Sequence, residues 1–250
     1  MEHCKPLYGN LASLYYDIRE EYAPGDEVAF YARCIQPGQQ VLEAMSGSGR
    51  LQLPLLQLDY QVTGVDNSPH MLERCRQRAA QLKLSPILHE QSLEQLDLGT
   101  KYHVCIIAMG SFQLIADRAS ALHALQNIRA HLHTGGALLL DIFTPHDTGD
   151  ATPAVTVARI NDHEYIRCTT RYFFYAAEHR VDALCSYEHV IDGQVHERED
   201  ELMQFRWYDG QELVQLLDQA GFDVVCVHEQ SFRSAGLSQI VQAHARAMHH

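Results

Sequence analysis

Between residues 39 and 143 the hydrophobic pattern keeps changing period. Short apolar runs fall near 40–44, 61–66, 86–90, 103–108 and 136–142, with stretches of helical spacing between them. Unbroken apolar runs suit strands covered on both faces, as parallel strands are. Strand–helix alternation with short links then predicts a parallel sheet with right-handed crossovers. Ser68-Pro69 reads as a helix start, with Ser68 as N-cap and Pro69 in the first turn. Asp117 caps the next long helix, and Gly135-Gly136 ends the turn after it. Ahead of this region, Leu7, Leu11, Leu14, Tyr15 and Ile18 recur at helical spacing, Pro24-Gly25 breaks the pattern, and a short helix follows with Asp26 as its cap.

A polar, turn-rich break covers residues 144–154, and after it the period shortens to two. Segments near 155–160, 164–175, 181–191 and 194–206 carry β-branched and aromatic residues at strand spacing. Asp192-Gly193 is a two-residue hairpin signal. A regular hairpin there sets His189 opposite His196, Tyr187 opposite Arg198 and Glu188 opposite Glu197, so the face carrying the two glutamates should be wet. Asp209 and Glu212 have the spacing of a capping box, its helix ends at Gly221, and strands near 222–228 and 238–245 close the chain. The expected division is an N-terminal helical flap (1–36), a core (37–149 and 207–250) and an antiparallel β insertion (150–206).

The formal charge of −13 over 250 residues argues against a nucleic-acid partner. Arg74, Arg76, Arg78 and Lys83 cluster on one predicted helix and read as a solvated face. No apolar run reaches the ~20 residues of a membrane span. The first six residues lack the apolar core of a signal peptide, and seven scattered cysteines without C-x-x-C suggest neither a metal site nor a disulfide framework. A cytoplasmic protein is expected. Sixteen dispersed histidines show no H-E-x-x-H spacing, and no G-x-S-x-G is present.

Candidate chemistry concentrates in Val41-Leu42-Glu43-Ala44-Met45-Ser46-Gly47-Ser48-Gly49-Arg50, a strand followed by a glycine turn and the start of a helix. The second strand ends in an acid, Asp66. A glycine turn after one strand and a carboxylate after the next grip a ribose-bearing cofactor. A dinucleotide fold needs G-x-G-x-x-G, but Met45 and Arg50 occupy two of its three glycine positions. The stretch resembles the class I S-adenosylmethionine (SAM) methyltransferases, whose first motif is an apolar pair, an acid, then x-G-x-G-x-G. Met45 stands at the first glycine, and Ser46 stands where cysteine is common. The resemblance runs with gaps from about Tyr15 to Phe143 and resumes near Trp207.

That resemblance implies an α/β, Rossmann-like sheet of seven strands in the order 3-2-1-4-5-7-6. It implies SAM as cofactor, S-adenosylhomocysteine as product, and transfer to nitrogen or oxygen of a small molecule. Tyr16, Glu43, Met45, Ser46, Gly47, Gly49, Asp66, Asn67, Met71, Ser92, Leu93 and Met109 would surround the cofactor. Tyr15 and Asp17 accompany Tyr16 where relatives carry a tyrosine–aspartate pair. Ser111 or Phe112 would face the acceptor. A hydroxyl acceptor needs a base, for which His146, Tyr187 and His189 are the candidates, followed by His196 and Tyr208. No metal is expected, and a homodimer is the candidate assembly. The competing readings are an NAD-linked oxidoreductase and a non-catalytic SAM-fold partner protein.

Overall fold

The computed structural model describes residues 7–145, 152–229, 232 and 238–247. Its main sheet contains β1 (Gln40–Ala44), β2 (Gln61–Asp66), β3 (Ile87–Glu90), β4 (Tyr102–Ile107), β5 (Leu132–Phe143), β10 (Phe222–Glu229) and β11 (Ser238–Ala245). Their order is β3-β2-β1-β4-β5-β11-β10. The first five are parallel, and β11 runs antiparallel between β5 and β10. Since β10 and β11 are the sixth and seventh strands of this sheet, the order is the expected 3-2-1-4-5-7-6.

Alternation explains why the strands read as unbroken apolar runs. Leu42, Cys105, Leu138 and Leu140 pack beneath α5 (Arg118–Ala130) and α6 (Gly210–Gln219). Val41, Val104, Ile106 and Leu139 pack on the other face beneath α2 (Gly25–Arg33) and α3 (Gln52–Gln57). Full burial of each such side chain contributes about 2 kcal/mol. Ser68 caps α4 (Pro69–Gln81) by accepting from Met71 N at 3.2 Å, and Asp117 caps α5 by accepting from Ser120 N at 2.7 Å.

Four local expectations change. Asp26 does not cap α2: Pro24 holds that position, and the Asp26 carboxylate accepts from its neighbour Glu27 N. Gly135-Gly136 lies inside β5, where the register against β4 shifts. Asp209 caps α6, but Glu212 does not reach back; it pairs with Arg206 at 2.6 Å and His179 at 3.2 Å. On α4, Arg78 is buried rather than solvated.

The insertion is a separate antiparallel sheet, β6 (Ala154–Arg159), β7 (Glu164–Tyr175), β8 (Arg180–Ile191) and β9 (Gln194–Arg206), in that order. Asp192 and Gly193 both take positive φ, 49° and 78°, as the tight hairpin turn requires. The register departs from the regular hairpin after two pairs. A bulge between His189 and Val190 leaves Val190 opposite Val195 but sets His189 opposite Glu197, Glu188 opposite Arg198 and Tyr187 opposite Glu199. The slip replaces a glutamate–glutamate pair with pairs of favourable charge. It also turns Glu199, Glu201, Met203 and Phe205 inward, because a one-residue shift exchanges the faces of a strand.

That inner face receives α1 (Asn10–Arg19). Leu11, Ala12, Leu14, Tyr15 and Ile18 pack against Ile166, Cys168, Cys185, Tyr187 and Met203. No described helix is long and apolar enough to cross a membrane.

Candidate active site

The turn after β1 lies at the carboxyl edge of the sheet, where open α/β folds bind ligands. Met45 there has φ +59°, so the residue at the first-glycine position keeps the left-handed backbone of a glycine, at a strain of ~1 kcal/mol. Gly47 follows at φ +55°, and its amide donates to Asp66 Oδ2 at 2.8 Å. Asp66 Oδ1 accepts from Ser68 N at 2.8 Å. One carboxylate therefore joins the glycine turn to the start of α4 and keeps lone pairs for a ligand. Burial raises its pKa, while the amides of Ser68, Gly47 and Asn67 draw it down. Gly49, at φ +80°, faces away from the cleft; a Cβ there would meet Cys75 Sγ at 2.6 Å and Leu53 Cγ at 2.9 Å.

A cleft opens over this turn. Its walls are Tyr8, Tyr16, Glu43, Met45, Ser46, Gly47, Arg50, Asp66, Asn67, Met71, Met109, Ser111, Leu114, Phe143 and Phe205, among others. It holds ≈ 1000 Å³ of atom-free space, counting its open mouth. A second recess shares Met45, Asp66, Asn67 and Leu114 with it and adds Gln91, Ser92, Leu93 and Glu94.

Glu43 is the electrostatic outlier. It is buried, and its Oε2 has no protein partner among the described residues, nor does Ser46 Oγ. Burial pushes its pKa up to about 8; Arg50 draws it down, and Glu27 and Asp66 push it further up. Arg50 does not neutralise Glu43 directly, because its guanidinium is held by Glu27 of α2 in a buried bidentate pair at 3.0 and 2.5 Å.

Helix α1 distributes three successive side chains among three neighbours. Tyr15 Oη meets Thr156 Oγ1 of the insertion at 2.5 Å, and its ring packs on Tyr187. Tyr16 lines the cleft. Asp17 binds Arg78 at 2.8 Å, and Arg78 also donates to Ser48 O and Ser48 Oγ in the glycine turn.

Nine of the residues assigned to the cofactor, Tyr16, Glu43, Met45, Ser46, Gly47, Asp66, Asn67, Met71 and Met109, therefore share the main cleft, and Ser92 and Leu93 line the adjoining recess. Ser111 joins them, while Phe112 is buried against Tyr208. The described candidate bases do not line the cleft. Tyr187 is enclosed between β8 and α1, and burial raises its pKa. His189 is paired with Glu164 at 2.8 Å on the insertion. Helix α1 packs against the insertion face that carries Tyr187. His196 is exposed, Tyr208 is buried, and His146 lies outside the described residues. Sequence reasoning missed Tyr8, Leu114, Phe143 and Phe205, which carry no motif. Only Gly110 hinted at Phe143, whose ring lies 2.5 Å from where a Cβ on that glycine would be.

Residues 41–136 match the family model described as a methyltransferase domain. YqeM of Bacillus subtilis (strain 168), assigned by its name to the methyltransferases, is 22% identical over 219 residues, 87% of this chain and 87% of its own. Among solved structures, the CcbJ methyltransferase from Streptomyces caelestis is similar at TM-score 0.75 and 20% identity, covering 98% of this chain and 100% of that one. The sugar N-methyltransferase KedS8 from Streptoalloteichus sp. ATCC 53650 is similar at TM-score 0.75 and 18% identity, covering 99% of each chain. At such identities the solved structures speak to the fold. The domain match places a methyltransferase domain over residues 41–136, and the glycine turn and Asp66 both lie within it.

Proposed function

We propose that this chain is a SAM-dependent methyltransferase, with S-adenosylhomocysteine as product, that acts on a nitrogen or oxygen atom of a small-molecule acceptor. The observation that carries the reading is the placement of Asp66, the Gly47 turn and the unpartnered Glu43 Oε2 in one cleft that also has an aromatic, mostly apolar wall.

The donor and acceptor set fits the cofactor. Asp66 has lone pairs for both ribose hydroxyls. Glu43 Oε2 and Ser46 Oγ are buried polar atoms awaiting a partner, which an α-ammonium group supplies. Met71 and Leu93 offer apolar faces to a flat ring, with Ser92 and Gln91 at its polar edge. Bound SAM supplies an electrophilic methyl on a sulfonium. The protein's part is then to hold the acceptor in line with that methyl at about 3 Å, which can supply most of the rate. Tyr8, Tyr16, Phe143 and Phe205 form the wall that would orient an acceptor and exclude water. A neutral amine needs no base in such a wall; a hydroxyl does. The name of KedS8 describes methylation of a sugar nitrogen by that protein, which supports a small-molecule acceptor here.

The test is calorimetry with S-adenosylhomocysteine and NADH, followed by a labelled-SAM screen over amine, hydroxyl and thiol metabolites. Micromolar binding of S-adenosylhomocysteine, with transfer to an amine or hydroxyl, is expected. Tighter binding of NADH, no SAM-family binding at millimolar concentration, or transfer confined to thiols would each overturn the reading.

A further inference from the structure

The first turn of α1 lacks a cap of its own. Its N-cap residue is Gly9, which has no side chain to accept from the helix amides. The acceptors come from β9 instead. Glu199 Oε2 accepts from Leu11 N and Glu199 Oε1 from Ala12 N, each at 3.2 Å, while Glu201 Oε1 accepts from Tyr8 N at 2.6 Å. Two carboxylates of the insertion thus sit at the positive end of the helix, where anions are favoured. On the other side of the turn, Ser68 Oγ donates to Tyr8 O at 2.7 Å, only two residues beyond Asp66. Tyr8 is held between these supports at φ +58° with its ring packed edge-on to Tyr16, and both rings line the cleft.

We propose that Glu199 and Glu201 are positioning residues that latch the N-terminal turn over the cleft, so that the insertion controls how long the cofactor is retained. This rests on the SAM reading of the cleft, and it extends that reading because neither glutamate lines the cleft itself. Both glutamates face inward because of the β9 bulge, which ties the latch to the register of the insertion. Gly9 leaves room for it: a Cβ there would meet the Glu199 carboxylate at 2.5 Å. That contact is with the tip of a flexible side chain, so Gly9→Ala should displace the carboxylate without unfolding the chain.

The experiment follows S-adenosylhomocysteine affinity and dissociation rate in the full chain, with hydrogen exchange over residues 10–19. Glu199→Gln, Glu201→Ala and Gly9→Ala should each speed dissociation roughly five- to tenfold and raise exchange in α1. Combining Gly9→Ala with Glu199→Gln should add little, since both disable one contact. Combining Gly9→Ala with Glu199→Asp should restore retention, because the shorter acid makes room for the new methyl. Glu197→Gln, on the exposed part of the same strand, should change nothing. If the wild-type chain binds and the three variants release ligand at its rate, or if the Asp variant gives no rescue, the latch is refuted while the cofactor reading stands. If the wild-type chain does not bind at all, the cofactor reading falls and takes the latch with it.

Discussion

The floor of the cleft and its roof are built from contacts of different range. In the floor, the Gly47 amide reaches the Asp66 carboxylate across 19 positions, between two turns that follow neighbouring parallel strands. In the roof, Tyr8 and Leu11 reach Glu201 and Glu199 across 193 and 188 positions, through side chains whose facing depends on one bulge. The floor therefore offers a site whose parts are neighbours in the sheet. The roof, on the proposed latch, acts through the N-terminal turn, so its loss should weaken binding without abolishing it.

The largest expected effect separates the two. Asp66→Ala removes the acceptor for two backbone amides and, on the proposed reading, for the ribose hydroxyls as well. Hydrogen bonds to a charged group contribute about 1.5–3 kcal/mol each, so S-adenosylhomocysteine affinity should fall at least ~100-fold by calorimetry. The roof variants should stay within about tenfold. A floor variant no worse than a roof variant would erase the distinction.

The same contrast decides how much could be read from sequence. The strand–helix alternation, the Ser68, Asp117 and Asp209 caps and the glycine turn follow from local residue types, while the strand order was legible only through the family resemblance; the structure has them all. Met45 was harder, since a methionine at a glycine position signals a different backbone, yet it adopts φ +59°. What escaped depends on partners far away in the chain. Arg78 sits in a run of basic residues that looks solvated, and only the arrival of Asp17 and Ser48 buries it. Glu212 has capping-box spacing, but Arg206 and His179 compete for its carboxylate and win. The bulge that redirects β9 leaves no mark in the alternation of its residues, and Tyr8 stands outside any helical repeat.

Glu43 gives a second, smaller way to sharpen the comparison, because its pKa of about 8 sets a pH dependence in the floor distinct from that of Glu201 in the roof, which burial raises to about 7. In the ligand-free protein Glu43 has its pKa raised to about 8, so it is protonated at neutral pH. A cationic ammonium beside it favours the charged form, so binding lowers that pKa and releases a proton. Affinity for S-adenosylhomocysteine should then rise with pH, by up to about tenfold per unit, and level off above 8. Stability of the ligand-free chain runs the other way. The folded pKa exceeds the unfolded one of about 4.3, so the contribution is complete below that value and is lost as pH rises to 8. Glu43→Gln should remove both slopes, raise stability at pH 8 and weaken binding. A variant that keeps the wild-type affinity profile would remove Glu43 from the cofactor site.

The smallest effects belong to the roof's own polar groups. His189 is tied to Glu164 in a half-exposed pair, a contact that contributes no more than about 1 kcal/mol. Tyr187 is buried with its ring packed on Tyr15, and it is not among the residues that line the cleft. His189→Ala and Tyr187→Phe should therefore leave S-adenosylhomocysteine affinity and labelled-methyl turnover within about twofold of wild type, with at most a modest fall in melting temperature. Proton transfer in the reaction, where the acceptor requires it, would then lie with groups nearer the floor or with the acceptor itself. A large loss of turnover at unchanged affinity in either variant would mean that the insertion swings into the cleft when an acceptor binds, and the roof would be chemical machinery instead of a cover.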